Sequence, residues 1–396
     1  MCFWFFETNR SKDSLSLSVT WLQFLLIGCL HVSRYHKEKK TGSSVRAQGF
    51  TMKPLFFSMT VLLVSYNCLS QEHTYTYFGL VICFVLWAKK LFHAEKGLSD
   101  GFGRAVLITG CDSGFGHHLA KKLDRMGFTV FAGCLCAEGP GAQSLVEEGS
   151  DRMKVLQLDV TKDEDVSSAK DFVQANLPEK GLYAVVNNAG ISDWGETEWS
   201  TAKDFQKMSD INLFGAIRVT IPFLSLVRAS KGRMLYVSSV FSFFNCLNMG
   251  AYSVSKRGLE AFADCLRIEM ASFGVKVSII QPGNFGMATN ILPKKTPQDI
   301  WDDFDEARKL TFNQKYIKMA CDCFNSLCTS GFKDCSMVIN AMLHALTAPK
   351  PQTRYLLVSW RDKVFFYICP FLPAIITDSV FFASSMYHKR KVMLYS

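Results

Sequence analysis

Between residues 104 and 290, short apolar runs alternate with amphipathic stretches. The runs are AVLIT (105–109), TVFAG (129–133), VLQLDV (155–160), YAVVNNAG (183–190), RMLYVSS (233–239) and VKVSIIQPG (275–283). Each is short and nearly continuous in its apolar residues, the pattern of a strand buried on both faces. The stretches between them, such as TKDEDVSSAKDFVQANL and YSVSKRGLEAFADCLRIEMASF, carry the spacing of amphipathic helices. Buried strands separated by helices predict an α/β fold with a doubly wound parallel sheet. A single domain over residues 101–340 accommodates it. Residues 284–340 are more helical and polar and are expected to follow the last crossover as a substrate lid. Ligands of such sheets bind beyond the carboxyl ends of the strands, where the strand order reverses.

The flanks differ. Residues 14–33, 54–71 and 74–88 contain no Asp, Glu, Lys or Arg. They make residues 1–100 an extension with candidate membrane segments. The third run, TYTYFGLVICFVLWA, begins with aromatics and ends at Lys89-Lys90, as an anchor does. Its length falls short of the roughly 20 residues that span a bilayer, so a slanted pair or an interfacial helix fits as well. A cleaved signal peptide competes for the run after Lys53, and Met52 is an alternative start. At the other end, VFFYICPFLPAII (364–376) is apolar and interrupted by Pro370 and Pro373. Two prolines break one long helix, so residues 341–396 read as an apolar, membrane-associating segment dipping into the interface. The competing reading packs this segment on the domain.

Charge sharpens this division. The chain has a formal charge of +9. Residues 1–100 hold 11 basic and 6 acidic residues, and residues 341–396 hold 7 and 2. The middle is nearly neutral, with 26 basic and 27 acidic residues. A nucleic-acid-binding body is therefore excluded, and basic residues beside apolar runs point to membrane lipid as a partner. Fourteen cysteines include no C-x-x-C pair. Cys321, Cys323, Cys328 and Cys335 are the best metal-ligating group, but buried thiols in a reducing compartment are the expectation, with no metal.

The first strand runs into Thr109-Gly110-Cys111-Asp112-Ser113-Gly114-Phe115-Gly116. Glycines here permit a tight turn and close approach of backbone N–H groups to a pyrophosphate at a helix N-terminus. Gly110, Ser113, Gly114, Phe115 and Gly116 are thus candidate cofactor contacts in a Rossmann-type domain. Asp159, after the third strand, can accept from an adenine amine. Asn187, Ala189 and Gly190 follow the fourth strand, where small residues let a cofactor lie close. Ser239 ends the fifth strand thirteen residues before Tyr252, and Lys256 stands one helical turn after Tyr252. A phenol with a pKa near ~10 is a poor base at neutral pH, and a neighbouring ammonium lowers that value. Tyr252 is the candidate base and Lys256 its modulator and a ribose ligand. Ser239 would donate to the substrate oxygen, and Asn212 would hold a relay water.

Together these motifs resemble the short-chain dehydrogenase/reductase superfamily over about residues 104–290. The segments LDRMGFTVFAGCL and YICPFLPAIITD resemble a membrane-linked branch that includes 17β-hydroxysteroid dehydrogenase type 2 and the retinol dehydrogenases. GCDSGFG, NNAGIS and KVSIIQPGNF resemble (R)-3-hydroxybutyrate dehydrogenase, of the same branch, at least as much. The resemblance implies an NAD(P)-dependent alcohol dehydrogenase with Tyr252, Lys256, Ser239 and Asn212 catalytic. It also implies cofactor contacts from the Pro282-Gly283 turn. Gly133-Cys134-Leu135-Cys136 offers neither an acid for a ribose hydroxyl nor a cation for a 2′-phosphate, and NAD is favoured over NADP. Thr289 lies six residues after Gly283, farther than the family's usual threonine.

The loop VFSFFNCLNMGA between Ser239 and Tyr252 is expected to border the substrate. It supplies Phe241, Phe243, Phe244 and Met249 and no charge, whereas a hydroxy acid needs a cation for its carboxylate. Arg354 is an alternative source of that charge. The expected reaction is oxidation of a hydrophobic secondary alcohol, a 17β-hydroxysteroid or a retinol-like molecule. The alternatives are (R)-3-hydroxybutyrate oxidation and, from another class, a non-catalytic membrane-anchored NAD-binding scaffold. The expected location is membrane-associated, with the endoplasmic reticulum favoured and the mitochondrial inner membrane as the alternative. A homo-oligomer is compatible with this reading.

Overall fold

A computed structural model describes Val81 and residues 101–289 and 291–382. The three candidate membrane segments of the N-terminal extension lie outside the described residues, Val81 apart. Seven strands form one parallel sheet in the order β3-β2-β1-β4-β5-β6-β7. They are β1 (Ala105–Thr109), β2 (Thr129–Cys134), β3 (Met153–Gln157), β4 (Leu182–Asn187), β5 (Arg233–Val237), β6 (Lys276–Pro282) and β7 (Arg354–Leu357). The order reverses between β1 and β4, which opens a crevice beyond their carboxyl ends.

The period of two along each strand divides the core. Val106 and Ile108 of β1 join the apolar layer on one face, and Ala105 and Leu107 join the layer on the other. Helix α1 (Gly114–Arg125) buries Leu119, Ala120 and Leu123 on the first face. On the second face, α5 (Gly215–Ala229) buries Val219, Phe223 and Val227. Successive buried residues four apart are the helical stripe that the amphipathic pattern requires. Helix α5 continues from α4 (Ala202–Ser209) through one π turn, Asp210–Phe214. Among the described residues, only this continuous helix, Ala202–Ala229, is long and apolar enough to cross a membrane. Here its apolar face covers the sheet.

Expected strands and observed strands coincide in order, and four of the six expected runs have shorter carboxyl ends. The run 183–190 leaves the sheet after Asn187 because the N–H groups of Asn188 and Ala189 bond to the Thr109 hydroxyl instead. The run 233–239 leaves after Val237, and Ser239 starts a short 3₁₀ turn, Val240–Ser242. The run 155–160 is shifted, and β3 starts at Met153 and stops at Gln157.

The domain boundary at residue 340 needs correction. Helix α11 (Ser336–Thr347) is buried against the sheet through Val338, Met342, Ala345 and Leu346. Strand β7 adds Tyr355, Leu356 and Leu357 to the core. A four-residue strand carries too little periodicity to separate it from the apolar flank. Arg354, at the start of β7, fixes it to helix α6 (Gly250–Ala271). Its guanidinium donates to Glu260 at 3.2 Å and to Asp264 at 2.5 Å. Glu260 is buried and also accepts from Ser242 and Gln281. A buried carboxylate is tolerated only when its lone pairs are used in this way.

Beyond β6 lie α7 (Gly286–Thr289), α8 (Pro297–Asp302), α9 (Glu306–Thr311) and α10 (Gln314–Cys328). They fall within residues 284–340, the stretch expected as a lid. After β7 come α12 (Trp360–Ile368) and α13 (Ala374–Phe382), joined by a 3₁₀ turn that contains Pro370. The prolines divide this segment into two short helices, as expected.

Candidate active site

The site is built on the reversal point. Thr109 Oγ1 accepts from Asn188 N and Ala189 N, both at 3.0 Å. Asn188 Nδ2 returns two bonds, to the carbonyls of Thr109 and Gly110, both at 2.9 Å. The turn after β1 is thereby joined to the end of β4. Gly110 and Gly114 have φ values of +70° and +61°, where a side chain is strained. Gly116 lies so close below the turn that a Cβ would stand 2.3 Å from the Gly110 carbonyl oxygen. Ser113 is the N-cap position of α1, and its side chain makes no cap bond. Phe115 packs edge-on against Phe285.

Other expected cofactor residues reach the same rim. Asn187 ends β4, and its Oδ1 is buried without a partner among the described residues. Gly190 is where a Cβ would meet Asn212 Oδ1 at 2.9 Å and Lys256 Nζ at 3.3 Å. Ala189 is held by Thr109. Pro282 ends β6, and Gly283 N donates to Leu357 O at 2.9 Å. Thr289 lies against Gly114 despite its spacing from Gly283, within van der Waals reach of a Cβ placed there. Asp159 lies two residues past β3, and its Oδ1 already accepts from Thr161 N and Oγ1. Its carboxyl is held below the ordinary value, with burial opposed by the Thr161 bonds and Lys162. A strained glycine turn at a helix N-terminus and an orphaned acceptor at a strand end fit a dinucleotide.

Asp112 was not among the expected residues. Its carboxylate accepts from Leu135 N at 2.9 Å and Cys136 N at 3.0 Å. Gln157 holds the same loop through Leu135 O and Ala137 N. A Cβ on Gly141 would stand 1.9 Å from the Asp112 carbonyl oxygen, so glycine is required where the next helix begins. An anion inside a glycine-rich turn was the available signal.

The reactive group lies on α6 and the turn before it. Tyr252, Lys256 and Ser239 are all buried. Lys256 Nζ donates to Val237 O at 2.9 Å and stands 5.7 Å from the centre of the Tyr252 ring. Burial pushes the Tyr252 phenol up to about 12, partly offset by a hydrogen bond with Ser239. Burial also brings Lys256 down to about 8. Burial is the larger of the two effects on the phenol. Asn212 occupies the π turn, and both N–H groups of its carboxamide are used. It accepts from Ile191 N at 2.8 Å and donates to Ile191 O and Ser255 Oγ. Its side chain fixes the loop beside Lys256 and has no free donor for a relay water.

Two of the four expected wall residues lie in the apolar cluster of Tyr252. Phe241 packs edge-on against Tyr252 at 6.2 Å, and Met249 shares an apolar cluster with it. Phe243 and Phe244 are corrected, because their rings meet Phe365 and Phe366 of α12. The lid fills their place. Trp194 stacks on Phe324 of α10 at 4.7 Å, and Phe312, Tyr316 and Ile317 join the same cluster. In α10 the buried positions 316, 317, 320, 321 and 324 form a helical stripe. Arg354 is committed to Glu260 and Asp264. Among the described residues no three His, Cys, Asp or Glu side chains come together for a metal. Cys328 and Cys335 instead donate to the carbonyls of Leu292 and Ala288.

The description short chain dehydrogenase belongs to the family model that matches residues 104–299. The chain is 41% identical over 287 residues to the mitochondrial D-beta-hydroxybutyrate dehydrogenase of Mus musculus. That match covers 70% of this chain and 84% of the relative. It is 40% identical over 297 residues to retinol dehydrogenase 16 of Homo sapiens, covering 74% and 92%. A solved short-chain dehydrogenase from Streptomyces avermitilis superposes with a TM-score of 0.55 at 26% identity, covering 72% of this chain and 96% of that one.

The buried lysine has a measurable consequence. Its folded-state value lies below the ordinary 10.5. Charge on Lys256 then costs folding free energy below about pH 8, and the cost fades as the pH rises from 8 towards 10.5. Chemical denaturation across this window should show a stability gain of about 3 kcal/mol in the native protein. Lys256→Met should lack that gain. An identical pH slope in both proteins would contradict the burial of a charged lysine.

Proposed function

The chain belongs to the short-chain dehydrogenase family, and from that premise we propose that it oxidises a hydrophobic alcohol with NAD. The observation that carries this reading is the apolar cluster around Tyr252, built from Trp194, Met249, Phe312 and Phe324. Such a wall suits a steroid-like or retinoid-like body. A carboxylate buried there would need a cation, and Arg354 is spent on Glu260 and Asp264. The identities to hydroxybutyrate and retinol dehydrogenases are nearly equal and do not separate the substrates.

The chain's own residues divide the work. The glycine turn and Gly190 admit the dinucleotide closely, and Lys256 would hold its ribose. The bound nicotinamide supplies the hydride acceptor. Ser239 orients the substrate oxygen, and Tyr252 takes the hydroxyl proton. The closed aromatic lid excludes water, which strengthens each of these polar contacts. Tyr252 works as a base only when deprotonated, and burial makes that form rare at neutral pH. Alcohol oxidation should therefore rise with pH from neutral to alkaline conditions, and the reverse reduction should fall. Tyr252→Phe should lower kcat by about 10²–10⁴-fold or more. NAD reduction with estradiol, retinol and (R)-3-hydroxybutyrate tests the substrate. Turnover of the hydroxy acid alone, or full activity of Tyr252→Phe, overturns the reading. No turnover with any alcohol favours the scaffold alternative.

Asp112 supports NAD over NADP. It holds negative charge beside the end of β2, where the adenosine ribose of a dinucleotide would be held in a sheet of this kind. A 2′-phosphate would be repelled there. Asp112→Asn should raise the ratio of kcat/KM for NADP to that for NAD about tenfold, equivalent to ~1.4 kcal/mol. An unchanged ratio removes Asp112 from cofactor choice.

Membrane association is part of the same reading. Trp360 is 78% exposed, Phe371 85% and Ile375 76%, with Val364 and Tyr367 beside them. On α12 the opposite side meets the substrate loop through Phe365 and Phe366. An apolar face this large favours a lipid surface, and Arg361 and Lys363 lie on the same helix. Phospholipids with brominated acyl chains should quench a fluorescence component that Trp360→Phe removes. Equal quenching of both proteins would place α12 outside the bilayer.

A further inference from the structure

The loop from Ser239 to Tyr252 is apolar and uncharged, yet it buries one amide. Asn248 is 6% exposed and lies four residues before Tyr252. Among the described residues, neither its Nδ2 nor its Oδ1 has a hydrogen-bond partner. It is the one described side chain with two polar atoms orphaned in this way. Asn248 O accepts from Gly195 N at 2.9 Å, and Met249 bridges Gly195. Met249 in turn shares the apolar cluster of Tyr252 and Trp194.

Its backbone is left-handed, with φ of +63°. Lys231 is the only other non-glycine residue with positive φ among those described. Asparagine tolerates this conformation better than most side chains, but glycine tolerates it at no steric cost. The turn therefore accounts for the backbone and leaves the carboxamide unexplained. Burying an unpaired amide forfeits its bonds to water with nothing in return. A polar group kept dry at that cost, on the substrate loop, has the character of a binding group awaiting its partner.

Resting on the hydrophobic-alcohol reading above, we propose that Asn248 receives a second, neutral hydroxyl of the substrate. A hydroxyl accepts one bond and donates another, which matches one orphaned donor and one orphaned acceptor. A hydrocarbon would leave both unpaired. A carboxylate could use Nδ2 but would face Oδ1 with negative charge. The loop thereby selects an oily diol over a mono-alcohol or a hydroxy acid. Asn248 acts in specificity and takes no part in proton transfer.

Asn248→Gly is the informative variant, because glycine keeps the positive φ and removes only the carboxamide. Two measurements on the full chain in detergent decide the matter. The thermal midpoint of the ligand-free protein should rise by about 2–4 °C, as the unpaired groups are removed. The second measurement is kcat/KM for estradiol against its analogue without the 3-hydroxyl. The native enzyme should prefer estradiol at least about tenfold, and the variant should bring that ratio close to one by losing the diol. A lowered midpoint would show that the carboxamide stabilises the fold, and overturns the proposal. A raised midpoint with an unchanged preference also overturns it. Turnover of neither steroid would refute the substrate choice of the preceding section, and the sign of the midpoint shift would still decide whether Asn248 is held unpaired.

Discussion

The hydroxyl of Thr109 holds the rest of the site in register. It accepts from two successive N–H groups, of Asn188 and Ala189, at the point where the strand order reverses. These N–H groups would otherwise be orphaned as β4 leaves the sheet, so the bonds are worth most at that place. The carboxamide of Asn188 then satisfies the carbonyls of Thr109 and Gly110. With the two strand ends joined, Gly110 can turn, Gly116 can pass beneath it, and Gly190 is brought against Asn212 and Lys256. A larger residue at any of these glycines would push the crevice apart.

A second network carries this order to the far side of the sheet. Glu260 connects the turn after Ser239, through Ser242, to Gln281 at the end of β6 and Arg354 of β7. Asp264 completes the pairing of Arg354. The serine turn, the Pro282-Gly283 turn and the last strand are thus held by one helix, α6, which also carries Tyr252 and Lys256. Because the carboxylate is buried, losing one partner would leave an uncompensated charge. The arrangement makes the C-terminal strand part of the reactive geometry.

Burial has opposite effects on the two reactive side chains. It favours the neutral form of each, raising Tyr252 and lowering Lys256. A closed, dry site pays for its electrostatic strength with poorly ionised groups. The same dry wall accommodates apolar rings at Phe241, Trp194 and Phe324, and it makes the unpaired amide of Asn248 conspicuous.

Much of this was legible along the chain. Continuous apolar runs between amphipathic stretches determined a doubly wound parallel sheet, because a strand covered on both faces cannot alternate. The glycine turn, Ser239, Tyr252 and Lys256 were readable because their spacing is local, within one turn or one helix. The short β7 was not, since four residues carry no period and its partner Glu260 is 94 positions away. Phe243 and Phe244 looked like wall residues, but a loop's sequence does not say which way a ring turns, and α12 claims both. The surroundings of Arg354, Asp112 and Asn248 were decided only in three dimensions. Each depends on which polar atoms find partners, and a sequence contains the donors and acceptors without the distances between them.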